Sequence, residues 1–224
     1  MATQAKVSKL LLQSVPLFAM LPDDQLTALT AVIRRTSVAR GTIVIAAGDV
    51  TDSLYVVISG KLEVIVGDAA GREIILAMLG RGESFGEMVP IDESTRSASV
   101  VAREPCELLV LSKHDFRKCL SENFEMAMTV MRCLVQRLRE ADRKISSLAL
   151  MDVYGRVAGL LLDMSETIGG QHVVTQKIVK QDMARTIGES REMVSRVMKD
   201  LQSSGYFEVR GKSLYLRDKI ATID

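Results

Sequence analysis

The stretch from residue 41 to residue 111 constrains the fold most, because short runs of Val, Ile and Leu recur there between glycines. The runs cover residues 42–46, 54–58, 62–66, 74–79 and 107–111. Short apolar runs bounded by turn residues are typical of β-strands. Many such strands at near-regular spacing predict a β-sandwich or barrel. The Gly-Asp-Ala-Ala-Gly segment at 67–71 predicts a hairpin loop.

The segments on either side of this β region have helical patterns. Residues 1–40 read as short helices, and Asp23 and Asp24 suit the start of one of them. Residues 116–150 contain no glycine, and a long helix is predicted within this stretch. Apolar side chains within it are separated by 3, 4, 3, 4 and 3 residues, at Met131, Leu134, Leu138, Ala141, Ile145 and Leu148. This heptad spacing predicts a two-stranded seam and hence a homodimer. The alternative is an amphipathic helix that lies on its own domain.

The last third of the chain reads as a winged helix. After Asp152 the pattern is helical again, Gly169 and Gly170 form a turn, and helices are predicted over residues 180–187 and 190–203. Two short β runs at 207–210 and 213–217, joined by Gly211 and Lys212, predict a hairpin. We therefore expect an α+β protein with three parts: a β domain at 1–124, a dimerisation helix at 125–151 and a winged-helix domain at 152–224.

The helix predicted after Gly188 has the features of a DNA recognition helix. Gly188 suits the turn between two helices, and Ser190 suits the helix N-cap. At about 100° per residue, the apolar side chains fall on one arc. The opposite arc carries Arg191, Glu192, Ser195, Arg196 and Lys199. The two arginines can each donate two hydrogen bonds to guanine, and Glu192 can accept one from cytosine. A polar arc of this kind can also be simply a solvated face.

The phosphate backbone would be contacted by neighbouring polar side chains, which are Lys180, Gln181, Arg210 and Lys212. The overall charge does not indicate DNA binding, because 29 basic and 28 acidic residues leave a net charge of +1. DNA binding must therefore depend on where the charges lie.

Composition argues against several other classes of protein. Two histidines and three cysteines spaced 13 and 14 residues apart provide neither a disulfide framework nor a recognisable metal site. We find no set of nucleophile, base and orienting group, so an enzyme is not expected. No apolar stretch is long enough to span a membrane, and the start MATQAKVSK does not resemble a signal peptide. A cytoplasmic location is expected.

Together these features resemble the cyclic AMP receptor protein and fumarate-nitrate regulator superfamily over nearly the whole chain. The most specific motif is Ser190-Arg191-Glu192 followed by Arg196, which is similar to the recognition helix of the cyclic AMP receptor branch. The resemblance implies a jelly-roll sensor domain, a homodimer, an inverted repeat with TGTGA-like half-sites and RNA polymerase as a further partner. Ser195 beside Arg196 is similar to the fumarate-nitrate branch, but Arg191 favours the guanine-containing half-site.

A second motif resembles the phosphate-binding cassette of a cyclic nucleotide pocket. Its residues are Gly86, Glu87, Met88, Arg96, Ser97 and Ala98. The resemblance implies that Arg96 and Ser97 bind the phosphate and that Glu87 accepts the ribose 2′-hydroxyl. A guanidinium can donate two hydrogen bonds to phosphate oxygens, so this assignment is chemically sound.

One departure from the family concerns the base. Where relatives that bind cyclic AMP have Thr and Ser, this chain has Ala141 and Asp142. A carboxylate only accepts hydrogen bonds, so it suits the N1-H and N2-H₂ donors of guanine and repels the N1 lone pair of adenine. The effector is therefore either cyclic AMP or a guanine nucleotide such as cyclic GMP or cyclic di-GMP. Alternatively, Asp142 is a solvated charge and cyclic AMP binds through the cassette.

Two other readings of the whole chain stay open. The pocket could be empty in a regulator that binds DNA constitutively, or the chain could bind a cyclic nucleotide without touching DNA. An iron-sulfur sensor is not expected, because no cysteine precedes Cys106. A haem sensor is not expected either, because His114 follows the last predicted strand and reads as a surface residue.

Overall fold

The computed structural model describes residues 7–223. Within that range the chain divides into two compact units, with the division between Arg137 and Leu138 inside a long helix. The two units are described separately.

The first unit begins with two short helices and continues as a β-sandwich. The elements are α1 (Lys9–Gln13), α2 (Asp23–Val32), β1 (Arg34–Val38), β2 (Ile43–Ile45), β3 (Leu54–Ser59), β4 (Leu62–Gly67), β5 (Glu73–Leu79), β6 (Ser84–Phe85), α3 (Met88–Asp92), β7 (Ser99–Ala102), β8 (Cys106–Leu111), α4 (Lys113–Glu122) and α5 (Phe124–Leu150). The strands form two four-stranded sheets in the orders β1-β8-β3-β6 and β2-β7-β4-β5. All pairings are antiparallel. The sandwich, the five predicted strands and the hairpin loop between β4 and β5 are confirmed.

Both faces of the sheet that contains β3 and β8 are buried. Val57 and Leu108 face the second sheet, together with Phe85. Their neighbours Val56 and Leu109 face the opposite side, under a layer that includes side chains of α1, α2, α4 and α5. Because adjacent side chains on a strand point to opposite faces, a strand buried on both faces is apolar throughout. This explains why these strands were recognisable as continuous Val, Ile and Leu runs.

One prediction for the first unit is wrong in detail. Strand β1 lies within the region predicted as helical, because its sequence Arg-Arg-Thr-Ser-Val has no apolar run and its pairing with β8 decides its conformation. The glycine-free stretch contains the end of α4 and all of α5, and the bounds of α5 lie within one residue of the predicted helix at 125–151. Asn123 breaks the stretch with an extended backbone, and its Oδ1 accepts a hydrogen bond from the Met126 amide at 2.8 Å. Helix α5 therefore starts afresh at Phe124.

The second unit contains the end of α5 and a small domain. Its elements are α6 (Val153–Asp163), β9 (Glu166–Ile168), β10 (Gln171–Val174), α7 (Lys180–Ile187), α8 (Arg191–Ser203), β11 (Phe207–Arg210), β12 (Ser213–Leu216) and a short 3₁₀ helix (Asp218–Thr222). The strands form one sheet in the order β11-β12-β10-β9. The two predicted helices and the predicted hairpin are confirmed.

The β9–β10 hairpin is the element of this unit that the sequence pattern missed. Its turn at Gly169 and Gly170 was predicted, and both glycines have positive φ angles of 58° and 80°. The flanking strands are only three and four residues long, and β9 is exposed throughout, so neither has a recognisable apolar period. Among the described residues, no helix has both the length and the apolar character that a membrane crossing requires.

Candidate functional site

Arg96 is a buried cation whose hydrogen bonds all go to neutral oxygens. The residue is only 4% exposed. Its Nη2 donates to the Ser53 carbonyl at 2.7 Å, its Nη1 to the Gly86 carbonyl at 2.7 Å, and its Nε to Thr51 Oγ1 at 3.2 Å. No carboxylate among residues 7–223 forms an ion pair with it. Burial lowers the pKa of Arg96 from its usual value, which reflects the cost of a charge held away from water. Such a group is suited to bind an anion.

The position of Arg96 depends on a close backbone approach at Gly86. Gly86 has a φ angle of +80°, and a Cβ atom there would lie 2.6 Å from Arg96 Nη1 and 3.0 Å from the Ser53 carbonyl oxygen. The Arg96 amide also donates to the Asp49 carbonyl at 2.9 Å, and its carbonyl accepts from Gly48 at 2.8 Å. The loop between β2 and β3 therefore holds both the backbone and the side chain of Arg96.

Glu87, next to Gly86, is buried with one carboxylate oxygen paired and the other unpaired. Its Oε1 accepts from Arg137 Nη1 at 2.5 Å. Its Oε2 is buried and has no hydrogen-bond partner among the described residues. A buried acceptor without a partner is costly, so Oε2 is suited to receive a ligand hydroxyl. The residues present thus fit both a phosphate, at Arg96, and a ribose hydroxyl, at Glu87.

Arg137 is the functional residue that the sequence reasoning missed. It lies on α5 within the first unit, and it also donates to the Ser84 carbonyl. In the sequence it is one of several basic residues on the polar faces of a long helix. No local pattern separates it from the others, because its partners are 50 and 53 residues away.

The remaining cassette residues lie close to this pair. Met88 starts α3 and is half-exposed, and its sulfur lies 3.8 Å from Ser97 Oγ. Ser97 is exposed, and Ala98 is partly buried just before β7. The structure therefore brings Gly86 and Arg96 into contact, and places Met88 beside Ser97.

Side chains of helix α4 form a hydrogen bond and two ion pairs with the end of α3. Arg117 Nε donates to the Pro90 carbonyl at 2.6 Å. Lys113 and Arg117 both form ion pairs with Glu93, at 3.2 Å and 3.0 Å. Lys113 and then Arg117 lower the pKa of the Glu93 carboxyl. Glu93 itself has a positive φ of 62°, so the cassette loop leaves α3 through a left-handed turn held by two cations.

The predicted seam of α5 is largely open to solvent in the single chain. Leu138 is 61% exposed and Ile145 is 64% exposed, and Met131, Ala141 and Leu148 are exposed as well. Leu134 is the exception, because it packs against the core of the first unit. The alternative in which the whole stripe is covered by its own domain is therefore not supported. Asp142, also exposed, lies like Ala141 in the second unit, so their predicted contact with a base stays a prediction.

Helix α8 has the two faces that its sequence predicts. Ser190 caps it, because its side chain accepts a hydrogen bond from the Met193 amide at 3.1 Å. Gly188 ends α7 in the left-handed conformation with φ 70°. Val194, Val197, Met198 and Leu201 are buried in the core of the unit. The opposite face presents Arg191, Glu192, Arg196 and Lys199, which are exposed, and Ser195, which is partly exposed.

The side chains predicted to contact phosphates differ in whether they already form an ion pair within the protein. Lys180 and Gln181 are exposed in the first turn of α7, and Lys212 is exposed between β11 and β12. Arg210 is exposed too, but it forms an ion pair with Glu208 at 2.8 Å and lies 4.7 Å over the Tyr215 ring. Glu208 also pairs with Arg217. The charges of Arg210 and Arg217 are therefore partly neutralised by the Glu208 carboxylate.

In the part of the chain that the structure describes, no group of three or more His, Cys, Asp or Glu side chains could hold a metal ion. His114 is exposed, and Cys106 is buried as a free thiol.

Two known protein families match separate parts of the chain. The family described as cyclic nucleotide-binding domain matches residues 35–123, and the Crp-like helix-turn-helix domain matches residues 155–221. The cAMP-activated global transcriptional regulator Vfr of Pseudomonas aeruginosa is 36% identical over 188 residues, 81% of this chain and 87% of that protein. The cAMP-activated regulator CRP of Pasteurella multocida is 35% identical over 76% of this chain and 83% of that protein.

A solved structure agrees in fold. The c-di-GMP-responsive global regulator CLP of Xanthomonas campestris is 31% identical, covers 87% of this chain and 99% of its own, and superposes with a TM-score of 0.74. These relatives are transcriptional regulators, and this chain is likewise a regulator and not an enzyme. With its cyclic-nucleotide-binding β domain, long helix and C-terminal helix-turn-helix, the chain belongs to the Crp/Fnr superfamily of ligand-responsive transcriptional regulators.

Proposed function

We propose that this regulator is a homodimer that binds an inverted repeat under the control of a cyclic nucleotide held at Arg96 and Glu87. The observation that carries the proposal is the buried guanidinium of Arg96, which donates only to neutral oxygens. A cyclic phosphate would supply the missing negative charge, with the Ser97 hydroxyl as a second donor. The ribose 2′-hydroxyl would donate to Glu87 Oε2, the carboxylate oxygen without a partner.

The second copy would pack along the α5 seam. The exposed Leu138 and Ile145 support this, because a row of apolar side chains at heptad spacing is stabilised by a matching row on a partner helix. Two-fold symmetry would present two copies of α8 about one turn of DNA apart, in adjacent major grooves. The half-sites would be TGTGA-like, read by Arg191, Glu192 and Arg196, and the bound dimer would act with RNA polymerase in the cytoplasm.

The effector would control DNA binding by a shift between two states. A nucleotide can favour one arrangement of the two long helices only if it binds that arrangement more tightly. Arg137 supports such coupling, because its side chain joins α5 to Glu87.

We propose further that Asp142 biases the pocket toward a guanine nucleotide. The family resemblance, rather than a contact in the structure, brings this carboxylate to the base. Among the relatives, Vfr is described as cAMP-activated and CLP as c-di-GMP-responsive. Similar chains therefore serve nucleotides of both bases, and the acceptor at Asp142 favours guanine in this one.

Calorimetric titration of the full-length protein with cyclic AMP, cyclic GMP and cyclic di-GMP tests this assignment. We expect at least one guanine nucleotide to bind 10-fold or more tightly than cyclic AMP. Asp142→Ser should reduce this preference, because a hydroxyl can donate as well as accept. Tight binding of cyclic AMP with no binding of either guanine nucleotide would reject the role of Asp142 but keep the pocket. No binding of any of the three would reject the nucleotide itself.

The DNA arm of the proposal is tested by fluorescence anisotropy on a TGTGA inverted repeat and a scrambled duplex at one salt concentration. We expect tighter binding to the repeat, and a further increase with the effector. Equal affinity with and without nucleotide would indicate a constitutive regulator, and no binding to either duplex would indicate a nucleotide-binding protein that does not act on DNA. The oligomeric state of the wild type and of Leu138→Lys, measured by sedimentation, tests the proposed dimer contact along α5. A monomeric wild type would contradict this contact.

A further inference from the structure

Arg156, on α6, forms two hydrogen bonds to the turn that leads into α8. Its Nη1 donates to the Ile187 carbonyl at 2.7 Å, and its Nη2 donates to Glu189 Oε1 at 2.7 Å. The Arg156 side chain is only 12% exposed, and that of Glu189 is 25% exposed. Two hydrogen bonds at different points of one short turn restrain its position more than either bond alone.

The turn itself is short. Ile187 is the last residue of α7, Gly188 is left-handed, and Ser190 is already the N-cap of α8. The Glu189 amide donates to the Ala184 carbonyl at 2.9 Å, which closes the turn on α7. Any movement of this turn therefore moves the first residue of α8.

A second contact fixes α8 further along. Tyr154, also on α6, donates from its hydroxyl to Asp200 Oδ2 at 2.8 Å. Val157 and Leu161 of α6 belong to the same buried core as Val194 and Val197, which lie between the two contacts on the α8 side. Helix α6 thus contacts α8 through a polar pair near each end of α8, and the apolar core that they share includes residues between those ends.

We propose that Arg156 is a positioning residue that sets how precisely α8 meets the base edges, and so sets the sequence discrimination of the protein. A bidentate contact between an arginine and a guanine depends on angle and distance, whereas a contact to phosphate tolerates displacement. Loosening the turn should therefore weaken binding to the chosen site and spare binding to other DNA. This inference rests on the proposed reading of DNA by α8.

The experiment first lets the wild-type protein, with its effector, select its own sites from a random duplex library. Dissociation constants are then measured for the selected duplex and a scrambled duplex at one salt concentration. The variants are Arg156→Gln, Arg156→Lys, Glu189→Gln and the double variant Arg156→Gln with Glu189→Gln. Lys219→Gln is the matched control, because Lys219 also ties two segments of this unit together, through the Ser204 carbonyl at 2.7 Å, without touching the turn.

We expect Arg156→Gln to weaken binding to the selected duplex about 10-fold, to change binding to the scrambled duplex less than 2-fold, and to leave nucleotide affinity unchanged. Arg156→Lys should lose most of the same discrimination, since one ammonium cannot reproduce the two diverging bonds. The double variant should not regain the sequence discrimination, because the Ile187 carbonyl still lacks its hydrogen bond from Arg156. Recovery in the double variant would instead mean that Arg156 only neutralises Glu189, and would overturn the inference.

Two further outcomes separate the possible failures. If Arg156→Gln discriminates as well as Lys219→Gln does, the inference is wrong while DNA reading stands. If the wild type selects no sequence at all, the proposed function fails first. Thermal unfolding of each variant shows whether it is folded at the assay temperature. If Arg156→Gln is unfolded there, the dissociation constants of Arg156→Lys and Glu189→Gln test the inference instead.

Discussion

Glu87 accepts a hydrogen bond from Arg137 at 2.5 Å through Oε1, while its Oε2 is buried without a partner in the part of the chain that the structure describes. The carboxylate is therefore oriented by a side chain of the long helix, and its second oxygen needs a donor that residues 7–223 do not supply. This arrangement makes the ribose hydroxyl of a nucleotide the group whose removal is most informative.

The first prediction concerns that hydroxyl. A 2′-deoxy form of the nucleotide should bind the wild type about 10-fold or more weakly, because a hydrogen bond to a charged group contributes roughly 1.5–3 kcal/mol. In Glu87→Gln the difference between the two ligands should shrink, since the acceptor is no longer charged. Calorimetry with both ligands on both proteins gives the comparison, and equal affinity of the two ligands for the wild type would contradict the role of Glu87.

The second prediction concerns Arg96. A nucleotide at about 100 times its dissociation constant should raise the Tm of the wild type by roughly 5–10 °C. Arg96→Gln should abolish this shift, because the phosphate loses its charged donor. Arg81→Gln is the control, since Arg81 is an exposed arginine before β6. A full shift in the Arg96 variant would show that the anion binds elsewhere.

The third prediction separates backbone strain from steric clash at Gly86. Gly86→Ala should destabilise the fold by about 1–3 kcal/mol and weaken nucleotide binding, because the new Cβ would displace Arg96. Gly71 has a similar φ of +76° but nothing within 4 Å of its would-be Cβ. Gly71→Ala should therefore show only the smaller conformational cost and normal nucleotide affinity in urea unfolding and calorimetry. Equal effects of both variants on nucleotide binding would argue against the contact.

The fourth prediction compares base and phosphate contacts. Arg191→Ala should weaken binding to the chosen site by roughly 1–3 kcal/mol and relax the preference at one base pair. Lys212→Ala should weaken binding at all sequences and lower the salt dependence. Anisotropy titrations on the chosen and scrambled duplexes at several salt concentrations distinguish the two. Equal losses on both duplexes for Arg191→Ala would contradict its assigned role.

The fifth prediction concerns Glu208 and the two arginines that form ion pairs with it, Arg210 and Arg217. Arg210 and then Arg217 lower the pKa of Glu208, so its carboxylate stays ionised from neutral pH down to below its usual titration range. The ion pairs are thus present above that range and are lost only as the pH falls through the lowered pKa. Glu208→Gln should free both arginines, raise affinity for any DNA and steepen the salt dependence by roughly 1 for each arginine that reaches a phosphate. Unchanged affinity and slope at pH 7 would show that Glu208 does not restrain them.

Local sequence determined most of the helices and strands, and the two faces of α8. The apolar runs of β3 and β8, the left-handed Gly188 and the N-cap Ser190 were all predictable, because their signals lie within a few residues of one another. The same holds for the heptad stripe of α5, whose exposure agrees with the predicted seam.

Tertiary structure alone decided the relationships over long distances. Strand β1 forms because β8 pairs with it, Arg96 is held by Thr51 and Ser53 more than 40 residues away, and Arg137 reaches Glu87 across 50 residues. Arg156 reaches Glu189 in the same way. The conformation that a segment prefers depends on residues close to it in sequence, whereas these hydrogen bonds depend on which distant groups the fold brings within hydrogen-bond distance.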